Sequence, residues 1–219
     1  IEGHTVTFSK WTSNNETYVK SSTVNPYGSF TWPAIPDGTA ITLTASASKT
    51  PNKYEVTYKD VVGSTTGKVL GTSKESVNFG IQVTGASKGT DTTEGAYYKG
   101  YLYDSSTTAT VTTSGATVYR IFKPSTNTKY TVEHYVMKTD GTYDTAVTKV
   151  DSTKTGTTDS KVTIANLKDS TLLVTNGIYY SYGQVDGKTV TSTTIKGDGT
   201  RVIKLYYART SGTLKTVAG

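Results

Sequence analysis

Hydrophobic and polar residues alternate with a period of two along much of the chain. In one segment Val132, His134 and Val136 share one face of a strand, and the residues between them share the other. Three further segments repeat this pattern: 5–11, 40–45 and 202–207. The pattern predicts an all-β or β-rich chain. The stretch 161–174 is compatible with a short helix or with another strand, so an α+β fold stays open.

The composition agrees with a β-rich chain. The 219 residues include 17 Tyr, 21 Gly and many Thr. Tyr and Thr favour strands, and Gly favours turns. Because Cys is absent, disulfides, thiol nucleophiles and Cys-ligated metal sites are excluded. No apolar run reaches the ~20 residues of a membrane span, so we expect no membrane insertion of this segment.

Three pairs of similar segments occur in the same order along the chain. The pairs are 53–58 with 129–134, 96–99 with 178–181, and 115–122 with 199–206. In the last pair Phe122 matches Tyr206. This order predicts two divergent copies of one unit, 53–124 and 129–209, joined by a short linker at 124–128.

The segment before the first copy is too short to build a large core by itself. We therefore expect residues 1–52 to pack on the first copy, with a strand, a Pro-limited crossing and a turn over 29–38. The predicted organisation is an N-terminal β domain over 1–126, a second module over 127–210 and a linker over 211–219.

The second copy carries a set of recognisable motifs. These are Tyr130-Thr-Val-Glu-His-Tyr135, Asp140-Gly-Thr-Tyr143, Thr155-Gly-Thr-Thr158 and Asp198-Gly-Thr-Arg-Val-Ile-Lys-Leu-Tyr-Tyr207. The arrangement resembles MucBP or internalin-B-type repeats over about 129–209, with a fainter copy over 53–124. The resemblance implies tandem β-grasp-like or β-sandwich repeats on the surface of a Gram-positive bacterium. It implies adhesion to mucin or host surfaces, or the spacing of another domain, and it supplies no catalytic residues.

The first 50 residues resemble collagen-adhesin B-type stalk domains through Val6-Thr-Phe-Ser-Lys-Trp11. Lys10 stands where those domains carry the lysine of an internal Lys–Asn amide crosslink. However, Ala45 stands where the promoting glutamate is expected, and the closing strand 117–122 contains no Asn. Lys10 is the crosslink candidate, and we do not expect the crosslink to form.

Aromatic residues are the main candidates for ligand binding, because a sugar ring can place its C–H groups on an aromatic face. Each is also a large apolar side chain, so core or cross-strand packing is the favoured alternative. The candidates are Trp11, Tyr27, Trp32, Tyr97, Tyr101, Tyr103, Tyr180 and Tyr182. Alternation predicts that Tyr97, Tyr101 and Tyr103 share one face and that Tyr98 lies on the other.

The sequence contains no arrangement typical of catalysis or of a cofactor. Glu133 and His134 are strand neighbours and point to opposite faces. Position 134 corresponds to Tyr58 in the first copy, so a packing role is expected for His134. Four Asp–Gly pairs lack the alternating acidic residues of a calcium loop and are explained by turns; they begin at Asp37, Asp140, Asp186 and Asp198. We predict no enzyme, no metal and no cofactor.

The net charge of +6 is spread along the chain, with lysines from Lys10 to Lys215 and no basic run. Nucleic-acid binders cluster such charge, so no nucleic-acid partner is expected. Diffuse positive charge favours weak attraction to acidic glycans or wall polymers, and it also keeps sheet edges soluble.

Together these inferences predict a non-catalytic region of an adhesin at the cell surface or wall of a Gram-positive bacterium. The repeats would bind glycans, mucin or other surface polymers, or act as a stalk beside adjacent repeats. Two alternatives stay open: a carbohydrate-binding accessory module of a secreted glycoside hydrolase, and a purely structural spacer.

Overall fold

Strands dominate the computed structural model, which describes residues 1–28, 34–173 and 177–210. The strands are β1 (His4–Ser13), β2 (Leu43–Pro51), β3 (Lys53–Val62), β4 (Val69–Asn78), β5 (Gln82–Thr84), β6 (Tyr101–Ser106), β7 (Thr108–Thr110), β8 (Ala116–Pro124), β9 (Thr128–Lys129), β10 (Thr131–Val136), β11 (Lys149–Asp151), β12 (Thr155–Gly156), β13 (Lys161–Thr163), β14 (Ile178–Val185), β15 (Lys188–Thr189), β16 (Ser192–Thr194) and β17 (Val202–Arg209). Two 3-10 turns, Gly85–Lys88 and Ile164–Leu167, and the short helix α1 (Ser170–Leu173) complete the described elements.

The second copy is built on a mixed five-stranded sheet with the order β11-β10-β17-β14-β15. Its first and last long strands, β10 and β17, pair in parallel at the centre. The strands beside them, β11 and β14, are antiparallel to their neighbours, and β15 forms a hairpin with β14. This topology is β-grasp-like, and it confirms the predicted β-rich fold class.

The core of the second copy lies on one face of this sheet. Ile203 and Leu205 on β17 and Val132 on β10 are fully buried, and Ile164 of the second 3-10 turn packs against them. The stretch 161–174, for which the sequence left helix and strand open, contains β13, this 3-10 turn and α1 in succession.

The main strands of the first copy follow the same order as those of the second copy. Its four-stranded sheet has the order β4-β3-β8-β6, which corresponds to β11-β10-β17-β14 in the second copy. The two-stranded sheet β5-β7 corresponds to β13-β16, and a 3-10 turn directly follows β5 and β13 alike. The two copies thus share a strand order, while the predicted bounds of the repeats stay a prediction.

The closing strands β8 and β17 correct one detail of the repeat match. The match pairs Phe122 with Tyr206, but Phe122 is fully buried, whereas Tyr206 is only partly buried on the outer face. The fully buried tyrosine of β17 is Tyr207. Neighbouring strand residues face opposite sides, so an error of one position exchanges core and surface.

The chain divides into two compact units. Unit 1 comprises 1–59, 72–87 and 106–119, and unit 2 comprises 60–71, 88–105 and 120–219. The core of unit 1 is formed by five buried residues: Val56, Tyr58, Val83, Val111 and Val118. The division at residue 126 stays a prediction.

Within unit 1, β1 and β2 form an antiparallel ribbon in which most side chains are exposed. At its base Gly3 lies against the ring of Phe79, and a Cβ on Gly3 would lie 2.2 Å from that ring. The backbone N–H of Asn52 donates to the carbonyl of Gly3, and that of Phe79 donates to Asn52. These contacts join the N-terminal segment to the first copy. That residues 1–52 cannot fold without the first copy stays a prediction.

Candidate functional site

The N-terminal aromatic candidates pack against one another. The rings of Trp11 and Tyr27 meet edge to face at 6.4 Å between centroids, and Phe8 lies 5.6 Å from Trp11. Trp32, and the strand expected around it, lie outside the described residues. Lys10 is exposed on β1, so it lacks the buried surroundings in which an amide crosslink forms. The described geometry of this segment is that of local packing.

Three tyrosines of the first copy surround Phe122. The centroids of Tyr97, Tyr98 and Tyr103 lie 5.9, 5.3 and 6.1 Å from that of Phe122, each ring edge to face. The prediction that Tyr97 and Tyr98 face opposite sides is therefore wrong. Both precede β6, which begins at Tyr101, so the strand period of two does not apply to them.

A buried ion pair covers one face of the Tyr97 ring. Arg120 donates from Nε and Nη2 to the two oxygens of Asp60 at 2.8 and 2.7 Å, and its guanidinium lies 4.3 Å from the Tyr97 centroid. Tyr98 donates to Asp60 at 2.6 Å. Burial and this hydrogen bond raise the pKa of Tyr98 to about 12. The cluster has the geometry of a structural core.

Tyr101 is separated from the other tyrosines and connects the two copies. It is buried, its hydroxyl accepts a hydrogen bond from Lys68 at 2.9 Å, and it donates to Asp159 of the second copy. Burial acts to raise the pKa of Asp159, but the hydrogen bonds from Tyr101 and Lys68 outweigh it and lower that pKa. Because the Tyr101 side chain is buried and its hydroxyl is hydrogen-bonded to both Lys68 and Asp159, its ring offers no exposed face on which a ligand could stack.

The predicted linker is held by buried polar contacts. The backbone N–H of Ser125 donates to Gly100 at 2.8 Å, and that of Thr158 donates to Ser125 at 2.9 Å. The hydroxyls of Thr128 and Thr158 are 2.6 Å apart, and both residues are buried. Paired buried polar groups fix a segment because their separation would leave them without partners.

Three tyrosines form a stack on the outer face of the five-stranded sheet. Tyr206 on β17 lies between Tyr182 and Tyr135, with centroid distances of 4.6 and 5.1 Å and interplanar angles of 15°. Tyr143 meets Tyr206 edge to face at 5.0 Å. Both faces of Tyr206 are therefore occupied, so it cannot stack on a sugar.

A β-bulge places Tyr182 in this stack. Tyr180 pairs with Tyr207, whereas Tyr182 pairs with Tyr206, so Ser181 is the extra residue. Tyr180 therefore packs on the core face, and Tyr182 is turned to the outer face. Sequence analysis missed Tyr135 and Tyr206 as members of this stack, although the period of two along β10 and β17 places them on the outer face of the sheet.

Tyr180 and Tyr182 are the two sequence candidates that the structure brings together at a pocket. This pocket, called the Tyr180 pocket below, has a volume of about 320 Å³ and lies beside the bulge of β14. Its walls are mostly apolar, and four hydroxyl-bearing residues line it with the two tyrosines. Those residues are Thr163, Ser181, Thr189 and Thr191.

Close packing shapes the floor of the Tyr180 pocket. Gly183 lines it, and a Cβ there would lie 2.3 Å from Ile164. The ring of Tyr180 meets Tyr207 edge to face at 6.2 Å, and the ammonium of Lys168 lies 5.8 Å from its centroid. Burial raises the pKa of Tyr180, so its phenol is neutral and available for hydrogen bonding at neutral pH.

The ionisable residues give no catalytic arrangement among the described residues. His134 is buried, and its Nδ1 lies 2.9 Å from the hydroxyl of Tyr207, which agrees with a packing role. Over the described ranges, no group of three or more His, Asp or Glu is placed to hold a metal ion. None of the described helices is long and apolar enough to cross a membrane.

Comparison with known proteins gives little further information. No protein-family model matches the chain, and no curated protein matches it. One solved structure, of streptococcal SHIRT (Streptococcal High Identity Repeats in Tandem) domains 3-4 from a cell surface protein, is 16% identical and covers 72% of this chain and 98% of its own. Its TM-score is 0.26, and at that value the likeness says nothing about function.

Proposed function

We propose that the chain is a non-catalytic region of a cell-surface adhesin of a Gram-positive bacterium, and that its second module binds neutral sugar rings in the Tyr180 pocket. The proposal rests on one observation: two tyrosines and four hydroxyl-bearing residues line the same apolar pocket. The other sequence candidates that the structure describes have their rings engaged in packing or buried in hydrogen-bonded clusters.

The chemistry of the pocket matches that of a pyranose. A sugar ring has apolar C–H faces and a rim of hydroxyls, so it needs an apolar wall with hydrogen-bonding groups at its edge. The walls of the Tyr180 pocket are mostly apolar, while the Tyr180 phenol and the threonine hydroxyls supply donors and acceptors. A pocket of this size accommodates one ring, so single-site binding is weak and repetition along the parent protein would strengthen it.

The second candidate function is a stalk, and the bonded linker favours it. Hydrogen bonds between Ser125, Thr158 and Gly100 fix residues 124–128, so the second copy is not joined by a free hinge. A fixed junction suits a spacer that holds a binding domain away from the wall. The two functions are compatible, since a stalk can carry weak sites along its length.

The test is binding of the protein to a panel of neutral and acidic monosaccharides, oligosaccharides and mucin glycans, followed by ¹H–¹⁵N NMR at low and high salt. We expect saturable shifts at Gly183 and Thr191 that persist at high salt. Tyr182→Ala and the isosteric Thr191→Val should weaken binding about three- to tenfold each. Tyr179→Ala is the matched control, because Tyr179 is 49% exposed on the same strand and does not line the pocket.

Shifts that vanish with salt, or equal losses in the control variant, would contradict sugar binding in the Tyr180 pocket. Absence of binding to every glycan would leave the stalk as the function. The stalk has its own readout: proteolysis should spare residues 124–128 in the folded protein, and rapid cleavage there would contradict a fixed junction.

A further inference from the structure

A separate polar cleft of about 250 Å³ lies between β10, β11 and the segment 167–170. It shares no lining residue with the Tyr180 pocket. Lysine, aspartate and serine side chains form its walls, and the buried ring of His134 forms part of its lining. His134 is only 3% exposed, so each of its two ring nitrogens needs a hydrogen-bond partner.

The hydrogen bonds of Tyr207 favour one tautomer of His134. The phenol oxygen accepts the backbone N–H of Asp169 at 2.9 Å, and it lies 2.9 Å from Nδ1 of His134. A neutral imidazole has one donor and one acceptor nitrogen. The phenol oxygen already accepts from Asp169, so we assign the phenol O–H as the donor to Nδ1 and the ring proton to Nε2. Nδ1 is therefore satisfied inside the core, and the Nε2–H donor is the group left to the cleft.

Both carboxylates of the cleft are already neutralised. Asp169 is hydrogen-bonded by Lys149 and by Thr171, and the hydrogen bond from Lys149 is the main cause that holds its pKa well below the usual range. Asp151 pairs with Lys154 at 3.2 Å. Lys168 is the remaining cation: its ammonium lies 5.8 Å from the Tyr180 ring centroid, and no described carboxylate lies within ion-pair distance of it.

We infer that this cleft binds a single oxyanion group, the sulfate, phosphate or carboxylate substituent of an acidic saccharide or polymer, between the ammonium of Lys168 and the Nε2–H of His134. Three lysines against two aspartates give the lining an excess of one positive charge while His134 is neutral. An ammonium and an N–H donor supply charge-assisted hydrogen bonds to such oxygens. The inference does not depend on sugar binding in the Tyr180 pocket.

The site should strengthen as the solution becomes acidic. The charged groups that face His134 are Asp169 and Asp151, which favour its protonation, and Lys149 and Lys154, which oppose it; Tyr207 is its hydrogen-bond partner. Burial is the largest effect and lowers the pKa of His134. Protonation adds a second uncompensated positive charge, so the affinity for the oxyanion should rise as the pH falls below the ordinary histidine pKa of about 6.5.

The experiment is an NMR titration of the whole chain with sodium sulfate, glycerol 1-phosphate and glucuronate as separate arms, at constant ionic strength maintained with chloride. We expect saturable shifts of the His134 ring and of the Asp169 amide in at least one arm. Lys168→Gln should weaken that binding about five- to tenfold. Lys188→Gln makes the same charge change on β15, away from the cleft, and should alter the affinity by less than about twofold.

The arms also identify the source of the oxyanion. Binding of sulfate and glycerol 1-phosphate alone assigns a tetrahedral group, and binding of glucuronate alone assigns a sugar carboxylate. Shifts that do not saturate in any arm, or equal losses in the two lysine variants, would overturn the inference. Tyr182→Ala separates the two proposals, because it should weaken neutral-sugar binding and leave the oxyanion titration unchanged.

Discussion

Gly100 and Gly197 face each other so closely that a Cβ on Gly100 would lie 2.4 Å from the Cα of Gly197. Gly197 is a better position to test than Gly100, because Gly100 has a left-handed φ and Gly197 does not. A substitution at Gly197 therefore tests the close contact without added backbone strain. A Cβ on Gly197 would lie 2.4 Å from the carbonyl oxygen of Lys99. We expect Gly197→Ala to lower the free energy of unfolding by about 1–3 kcal/mol, measured by urea denaturation.

The control is Gly28→Ala, since a Cβ there meets nothing within 4 Å and no left-handed φ is involved. This change should leave the free energy of unfolding within about 0.5 kcal/mol of the parent. Equal stabilities of the two variants would show that the strands and turns near Gly197 are not packed as described.

Among the described ion pairs, Asp60–Arg120 should be the one whose disruption lowers the free energy of unfolding most. The two side chains are 12% and 10% exposed, so removing one charge leaves the other buried without its partner. We expect Asp60→Ala to lower the free energy of unfolding by about 3–5 kcal/mol. Glu55→Ala is the matched control, because the Lys74–Glu55 pair is 58% and 60% exposed, and it should cost at most about 1 kcal/mol. Similar losses in both variants would contradict the burial of Arg120.

Tyr206 should stabilise the outer face of the sheet through both faces of its ring. Each aromatic pair contributes about 0.5–1.5 kcal/mol beyond area burial, so Tyr206→Leu should cost about 1–3 kcal/mol in thermal or urea unfolding. Tyr179→Leu removes an exposed ring from the neighbouring strand and should cost less than about 0.5 kcal/mol. A loss in Tyr179→Leu as large as in Tyr206→Leu would argue against the stack.

The burial of His134 predicts a specific pH dependence of stability. Because its pKa is lowered in the folded state, the unfolded chain binds more protons, so the contribution is complete above about pH 6.5 and declines as the pH falls towards the folded-state value. The slope attributable to this residue is at most about 1.4 kcal/mol per pH unit.

The measurement is urea denaturation between pH 7.5 and 5. His134→Tyr, which copies the residue at position 58 of the first copy, should remove this part of the slope. His4→Gln provides the control, because it removes the other histidine from the N-terminal strand and should keep the slope of the parent. An unchanged slope in His134→Tyr would exclude His134 as the titrating group.

Sequence periodicity predicts the strands well, because alternation records which face of a strand is buried. The Asp–Gly pair predicts the turn at Asp186–Gly187, where both residues have positive φ, at 51° and 76°, as a two-residue hairpin between β14 and β15 requires. Sequence periodicity does not predict the bulge at Ser181. The extra residue turns Tyr182 to the opposite face of the sheet, and no change in residue type marks its position.

The candidate site is less predictable than the strands. Tyr180 and Tyr182 were identified from the sequence, but three of the four hydroxyl-bearing residues around them come from β13 and from 189–191. Likewise the contact between Asp60 and Arg120 joins distant parts of the chain. Such contacts depend on how strands pair at long range, and local periodicity does not contain that information.

The parallel pairing of β10 and β17 determines how the second module responds to tension. The chain enters the module at the start of β10 and leaves at the end of β17, and in a parallel pair these points lie at opposite ends. Pulling on both therefore slides one strand along the other and loads the hydrogen bonds between them simultaneously, in shear. An antiparallel hairpin pulled from its open end would instead lose its bonds one at a time. The module is thus oriented to resist extension along the chain.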